Sequence, residues 1–360
     1  MLVEDPQAER GKHSTLDPAS GRAGPRGRLA SRGASRSWSR TAVVLVTVAV
    51  TAVFSYIALS DIKLALAWHA MRTTDYWWLI IALVAFGLGS AARALRWRSL
   101  FAHGRRPPIG SVANAMMVGY FYNNILPARA GEAARILVLN RRTSTAPTEI
   151  VGTVVLERLY DVVAILLIFF AAEPWLPHVS WFGAAGLAAL VLAVLIIALA
   201  TMLAVYEDRP LRVLMRPLRR LPLFSGERLE RTIDELTHGL SGLRHPRLAL
   251  EASLWTIGAW LCTALCAYLV SVAFHLHLPL ASGVLVAVAI GGGMILPSPP
   301  AAVGVFEGAA LIALGAYGIH HSSALPYAVV LHLVNFVPYI VVGVLMLHYN
   351  SRHPARRGFD

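Results

Sequence analysis

The sequence predicts an all-α, polytopic membrane protein. Of its 360 residues, 56% are hydrophobic and only 14% are charged, and the mean hydropathy is +0.59. Soluble domains average about 25% charged residues, so this composition excludes a disordered chain and argues against a water-soluble globule. The net charge of +12 is carried by arginine blocks between long apolar runs. That pattern is typical of a membrane protein with a basic cytoplasmic face, and we expect no nucleic-acid partner.

Six apolar segments are long enough to cross a bilayer core of about 30 Å. They follow residues 1–40, which are rich in Arg, Gly, Ser and Pro and are interpreted as a disordered basic cytoplasmic tail. The first segment could instead be a cleaved signal peptide, but the long leader before it favours an uncleaved span. The predicted spans are 41–60, 77–95, 151–172, 181–205, 250–274 and 326–347.

Two further apolar stretches, near 111–140 and 281–319, are interrupted in the middle. Each predicts two short helices that meet at a tip, a re-entrant hairpin that enters and leaves the membrane on one side. The alternative is that proline merely kinks ordinary spans. The residues predicted to build the two tips are Pro127, Gly131, Pro297, Pro299 and Gly304.

The positive-inside rule supports six spans and two hairpins that do not cross. With the amino and carboxyl termini in the cytoplasm, all but three of the 32 arginines and lysines fall in segments on that side. Eight or more spans remain the alternative. Within the loop 206–249, leucines at helical spacing predict an amphipathic helix on the inner leaflet, or equally a soluble helix pair.

The two interrupted segments resemble each other, which predicts an inverted repeat. Both contain Ile-Leu-Pro at the break, at 125–127 and 295–297, followed by a glycine and then a glutamate. Two spans precede each hairpin and one follows it, so each unit crosses the membrane three times. Because three is odd, the second unit enters the membrane from the opposite side. The predicted organisation is the tail 1–40, a first repeat 41–172, a second repeat 173–347 and a cytoplasmic tail 348–360.

Charged residues inside the apolar segments are the candidate functional residues. Three charges in one span are costly unless they are paired and reach water. One interpretation is structural, with carboxylates and arginines holding the hairpins together. The other is functional, because guanidinium groups match the oxygens of a phosphate. The candidate substrate-binding residues are Asn123, Asn124, Arg129, Arg135 and Arg158, and the candidate proton or charge relay is Glu132, Glu157, Asp161 and Glu307.

The arginines that end the second span, Arg93, Arg96 and Arg98, are interpreted differently. With Trp97 among them, they predict snorkelling to lipid phosphate at the inner surface rather than a substrate role. We expect no metal and no cofactor, because no Cys/His cluster occurs and the only two cysteines, Cys262 and Cys266, fit helix packing. No phosphate-binding loop motif occurs, so ATP is not the expected energy source.

These motifs together resemble the lysylphosphatidylglycerol synthase transmembrane-region family, also called flippase-like integral membrane proteins. The resemblance rests on the segments 93–100, 123–132 with Arg135, Glu157–Arg158 with Asp161, and 296–307. It implies movement of a lipid between leaflets, and the soluble aminoacyltransferase domain of some members is not expected here. Many members look Pro-Gly-Gly at the second tip, where this sequence has Pro300, Ala301 and Ala302.

Three functional hypotheses follow. The first is a flippase-like transporter of a bacterial-type plasma membrane, moving an anionic or aminoacylated phospholipid or a polyprenyl-phosphate lipid between leaflets. The second is a membrane enzyme of phospholipid modification that uses Glu157 and Asp161 as acid and base, although no nucleophile accompanies them. The third is a scaffold for a separately encoded lipid-modifying enzyme.

Overall fold

The structure is a computed structural model that describes residues 74–101, 106–126, 130–143, 145–177, 246–294 and 300–353, with isolated positions at 72, 104 and between 186 and 198. The chain divides into two units, Met1–Val46 and Thr47–Asp360, and every described residue lies in the second. The predicted tail 1–40, span 41–60 and loop 206–249 lie outside the described residues. The predicted span 181–205 is described only at isolated positions.

The described residues form helices and no strand, which confirms the predicted all-α class. Two short 3₁₀ segments, Glu173–Trp175 and Pro300–Ala302, accompany the α-helices. In chain order, the α-helices of the described part are α1 (Tyr76–Ser99), α2 (Ile109–Ile125), α3 (Ala130–Thr143), α4 (Pro147–Ala172), α5 (Pro246–Ala273), α6 (Leu280–Gly293), α7 (Val305–Gly315) and α8 (His321–Arg352).

Helices α1, α5 and α8 are long and apolar enough to cross a membrane. They correspond to the predicted spans 77–95, 250–274 and 326–347, and each begins earlier in the chain than the apolar run predicts. Helix α4, of 26 residues, corresponds to the predicted span 151–172 and carries three charged residues near its middle. Large apolar side chains are exposed along all four helices, among them Leu88, Leu167, Leu254 and Leu345, as expected for surfaces that face lipid.

The two interrupted segments each form a pair of short helices that pack against each other, α2 with α3 and α6 with α7. At 1.5 Å per residue these helices are about 17–26 Å long, shorter than a bilayer core of about 30 Å. The predicted tip residues Pro127, Pro297 and Pro299 lie outside the described residues. The order of short helices follows the prediction, and their re-entrant course stays a prediction.

The helices of the two predicted repeats pack across each other in a matching way. Helices α1 and α5 share a long contact, and the backbone N–H of Asp75, before α1, donates to the carbonyl oxygen of Ala273 at the end of α5 at 3.1 Å. The two helices are therefore antiparallel. Helix α2 packs on α8 and helix α6 packs on α4. In each case a hairpin of one predicted repeat contacts the last helix of the other.

A close backbone contact at Gly131 holds α2 against α3. A Cβ atom at this position would lie 1.9 Å from the carbonyl oxygen of Gly119 on α2. Only glycine fits where two backbones approach so closely. The predicted tip residue Gly131 is thus buried between the two arms of the hairpin, one residue into α3.

Candidate functional site

A cavity of about 290 Å³ lies where the two helix pairs meet the longer helices. The end of α2 and the end of α6 both line it, together with Ala301 and Ala302 from the short 3₁₀ segment. Helices α1, α4, α5 and α8 also contribute to the wall, as do Glu132 on α3 and Phe306 on α7. Described residues next to both interruptions therefore line one cavity.

The cavity has an aromatic and a charged side. Rings of Phe86, Tyr120 and Trp260 line it, as do those of Phe306, Phe336 and Tyr339. The charged side is formed by a group of seven residues, called here the charged cluster: Arg93, Arg96, Glu132, Arg135, Glu157, Arg158 and Asp161. All of these except Arg135 contribute directly to the cavity wall.

Glu157 on α4 is the buried centre of this cluster. Its Oε1 lies 3.0 Å from Nη2 of Arg96 on α1, and its Oε2 accepts a hydrogen bond of 2.9 Å from Nη1 of Arg135 on α3. The side chain of Glu157 is 2% exposed and that of Arg96 is 1% exposed. A charge buried this deeply must be paired, so Glu157 ties together three helices, and Arg135 also packs over the ring of Trp97.

Asp161 lies one turn further along α4. It accepts hydrogen bonds from Arg96 and from the indole N–H of Trp260, the latter at 3.1 Å. Arg158, three residues before it, approaches at 3.4 Å, which confirms the contact that their spacing predicts. Both oxygens of Glu157 and both oxygens of Asp161 have arginine partners. Both carboxylates are engaged in ion pairs, and no nucleophilic side chain is among their partners in the described structure, so the geometry does not favour the acid–base hypothesis.

Among the ion-paired members of the cluster, Arg158 has the most exposed side chain. Its Nη2 donates to Oε1 of Glu132 on α3 at 2.9 Å, while its side chain stays 43% exposed at the cavity. Its Nε has no hydrogen-bond partner among the described residues. Glu132 pairs with Arg158 and Glu157 pairs with Arg135, whereas Glu132 and Arg135, three apart in sequence, do not contact each other as an ion pair.

Arg93 supplies positive charge that the cluster does not neutralise. Its Nη2 donates to the hydroxyl of Thr263 on α5 at 2.7 Å, and no carboxylate of the described residues lies within ion-pair distance of it. The charged cluster holds four arginines and three carboxylates. It therefore keeps one formal positive charge beside the cavity and favours an anionic group there.

The interpretation of Arg93 and Arg96 as snorkelling residues is wrong. Arg96 is buried between α1 and α4, and Arg93 lines the cavity. Only Arg98 turns away from the cluster, to donate a hydrogen bond of 3.1 Å to the carbonyl oxygen of Pro107. The partners of Arg96 lie more than sixty positions away in sequence, which local charge spacing does not reveal.

The other predicted residues divide into three groups. Asn123 and Asn124 line the cavity at the end of α2. Arg129 lies outside the described residues. Gly304 caps α7, and its N–H donates to Oε2 of Glu307 at 2.7 Å. Glu307 does not line the cavity but pairs with His332 on α8, a residue that the sequence analysis did not select.

Ala301 and Ala302, which stand where many family members look Gly-Gly, have unusual backbone angles. Ala301 has φ of 58° and Ala302 has φ of 54°. This left-handed conformation is unfavourable for a residue with a side chain and is adopted freely by glycine. Both alanines form part of the cavity wall, so the surrounding contacts hold a strained segment at the site.

Fold and site together define a polytopic α-helical membrane protein with a buried, arginine-rich cavity between two broken helix pairs. Comparison with known families agrees with this class. Residues 44–343 match the family described as the lysylphosphatidylglycerol synthase TM region, and the chain belongs to this family. The membership supports a general role in membrane lipid chemistry, as expected from the motifs.

A relative from an archaeon is similar over most of its own length. The UPF0104 membrane protein MJ1078 of Methanocaldococcus jannaschii is 24% identical over 243 residues, which are 65% of this chain and 95% of that protein. Its name describes a membrane protein and states no activity. The chain is therefore a multi-pass membrane protein whose particular activity has to be argued from its own site.

Proposed function

We propose that the protein moves a phosphate-bearing lipid between the two leaflets of a bacterial-type plasma membrane. The observation that carries this proposal is the charged cluster, which holds one arginine more than carboxylates and lies against a cavity inside a bundle of lipid-facing helices. Arginine binds phosphate oxygens through charge-assisted hydrogen bonds. An anionic or aminoacylated phospholipid and a polyprenyl-phosphate lipid share that group.

The two most accessible arginines are the proposed phosphate ligands. Arg158 has a side chain that is 43% exposed at the cavity, and Arg93 has a single hydroxyl partner in the described structure. Arg135 is enclosed between Glu157 and Trp97. It therefore supports Glu157 and does not meet the lipid, which revises its predicted binding role into a positioning role.

The cavity size favours binding of a headgroup rather than of a whole lipid. A volume of about 290 Å³ is at the small end of ligand pockets, which span roughly 300–1,000 Å³. The acyl chains would stay among the apolar side chains outside the cavity. Asn123 and Asn124, which line the cavity, would bind polar parts of the headgroup, and Arg129 stays a candidate from the sequence alone.

Transport between leaflets requires a site reached from both sides, and an inverted repeat supplies one near the membrane centre. The matching contacts of the two helix pairs support that arrangement. Most arginines lie in the terminal tails and in those connections between predicted spans that would share one side with them. The positive-inside rule therefore supports termini in the cytoplasm. Partner enzymes that make or modify the lipid would act before or after the transfer.

The proposal is tested by lipid exchange in vesicles that contain only the purified full-length protein. Phosphatidylcholine vesicles carry a trace of fluorescent phosphatidylglycerol, and dithionite, which does not cross membranes, bleaches the outer leaflet. We expect the wild-type protein to expose the inner-leaflet probe as well. Arg158→Gln should slow this exchange by about ten- to a hundredfold, because one charge-assisted hydrogen bond contributes about 1.5–3 kcal/mol.

Arg98→Gln is the matched control, since Arg98 lies near the end of α1, bonds a backbone carbonyl and does not line the cavity, and it should exchange lipid like the wild type. Probes with a phosphatidylcholine or polyprenyl-phosphate headgroup compare neutral and anionic chemistry. If dithionite leaves the inner-leaflet probe fluorescent in vesicles that contain the wild-type protein, the result would contradict transport and favour the enzyme or scaffold hypothesis.

A further inference from the structure

The ring of His332 on α8 lies between two oxygen atoms. Its Nδ1 contacts Oε1 of Glu307 on α7, and its Nε2 lies 3.1 Å from the carbonyl oxygen of Ala301. Phe306 stacks on the ring with centroids 4.5 Å apart, and Phe336 packs edge-on at 4.0 Å. The imidazole is thus enclosed, and both of its nitrogens are aimed at hydrogen-bond acceptors.

This geometry requires one proton more than a neutral imidazole and a carboxylate possess. A neutral imidazole has one N–H and one lone pair, so it can donate to only one of the two oxygens. Both contacts become hydrogen bonds when a second proton lies on the ring, or between Nδ1 and Oε1. His332 and Glu307 therefore form a site for one additional proton.

Glu307 is the one titratable group that the described structure places against His332. The segment Pro300–Ala302 contributes a carbonyl, and α6 contains no titratable residue. Helices α1 and α5 approach α8 through hydroxyl contacts of Tyr339 and Tyr327, at least five positions away along the helix. Helix α2 brings Asn124, an amide, to the carbonyl of Phe336. The proton balance of the site rests on the pair itself.

The bond to Ala301 connects this site to the cavity. Ala301 and Ala302 have the left-handed backbone conformation and line the cavity wall, and Phe306 and Phe336 line it as well. When the additional proton leaves, the remaining one stays on Nδ1, because a lone pair facing a carboxylate is less favourable than one facing a neutral carbonyl. The Nε2 bond to the carbonyl of Ala301 is then lost.

We propose that His332 and Glu307 form a proton-binding latch that holds the segment 300–302 against the cavity when the proton is bound and releases it when the proton leaves. Release lets the two strained alanines relax and changes the cavity wall next to the second hairpin. The use of the latch in transport rests on the proposed function, because the proton would then be the ion that is coupled to lipid movement. The latch itself is a property of the chain with or without lipid exchange.

Two spectroscopic measurements on the full-length protein in lipid nanodiscs test the latch. The first is ¹⁵N NMR of the histidine rings, with the signal of His332 identified by its loss in His332→Gln. We expect both ring nitrogens protonated at the acidic end of a titration and Nε2 unprotonated at the alkaline end. A ring that carries a single proton, on the same nitrogen, throughout the titration would overturn the proposal.

The second measurement follows the segment itself with ¹⁹F NMR. A trifluoromethyl label is placed at Val303→Cys, next to the alanines, in a protein whose Cys262 and Cys266 are replaced by alanine. We expect the ¹⁹F signal to move in one step over the pH range in which Nε2 of His332 loses its proton. The step should disappear in His332→Gln.

Two further variants control for folding and for unrelated titrations. Glu307→Gln removes the charge but keeps an oxygen that accepts the Gly304 N–H, and it should also abolish the step. His348→Gln, at an exposed position on the same helix, should keep it. An unchanged step in both His332→Gln and Glu307→Gln would overturn the latch. A normal step in a protein without lipid exchange would support the latch and contradict transport instead.

Discussion

At the scale of single residues, the members of the charged cluster differ in how far they are exposed, and we expect their roles to differ accordingly. The side chains of Arg96, Glu157 and Arg135 are almost completely enclosed, whereas those of Arg158 and Glu132 are partly exposed. Removing one partner of a buried ion pair leaves a buried charge without a counter-charge and strongly destabilises the protein. An exposed ion pair contributes little to stability. We therefore expect the enclosed members to hold the fold and the open members to meet the ligand.

Arg96→Gln tests the enclosed part of the cluster. The change deprives both Glu157 and Asp161 of a guanidinium partner, and we expect the free energy of unfolding to fall by about 3–5 kcal/mol. Reversible unfolding in mixed micelles measures the loss. Arg98→Gln, whose arginine bonds a backbone carbonyl outside the cluster, should change stability by less than about 1 kcal/mol. Equal losses in the two variants would show that Arg96 is not part of a buried network.

The residues that could be predicted from sequence are those with local signals. Arg158 and Asp161 are three apart on one helix, and their contact is present. Arg96 and His332 could not be selected in the same way, because their partners come from other helices. An arginine near the end of an apolar run has the same local pattern whether it reaches lipid phosphate or a buried carboxylate. Only the packing of α1 against α4 distinguishes the two.

At the scale of elements, the paired short helices depend on the absence of side chains at their contacts. Gly131 brings α3 against the backbone of α2, and Gly283 brings α6 against α5, where a Cβ would lie 2.3 Å from the carbonyl of Ala264. The sequence predicts the interruptions, because proline breaks the helical hydrogen-bond pattern and glycine destabilises a helix. It does not predict which glycines form contacts, since that depends on the helix facing them.

Gly131→Ala tests the contact between α2 and α3. A methyl group there overlaps the carbonyl oxygen of Gly119, so the arms must separate and the buried pair of Arg135 with Glu157 is disturbed. We expect a loss of more than about 2 kcal/mol in stability, measured by the same unfolding assay. Gly110→Ala is the matched control on α2, because open space surrounds that position. A fully stable Gly131→Ala protein would contradict the close contact.

At the scale of the whole molecule, one order of elements occurs twice among the described helices. A long helix, a pair of short helices and another long helix occur twice, as α1 to α4 and as α5 to α8. The antiparallel contact of α1 with α5 agrees with two units of opposite orientation. Hydropathy predicts where the long helices lie, but the meeting of both interrupted segments at one cavity depends on packing between distant parts of the chain.

Transport makes a demand on the whole molecule that an enzyme or a scaffold does not make. The cavity has to open toward each side of the membrane in turn. Asn335 on α8 lines the cavity, and its side chain bonds only to the backbone of its own helix among the described residues. A cysteine at this position therefore reports on the cavity without breaking the charged cluster.

The most direct measurement is the reaction of Asn335→Cys, in a protein whose Cys262 and Cys266 are replaced by alanine, with a membrane-impermeant thiol reagent applied from one side of the membrane at a time. We expect the cysteine to react from both sides and added phosphatidylglycerol to slow both reactions. A cysteine that reacts from one side only, at a rate that anionic lipid does not change, would contradict the proposed transport.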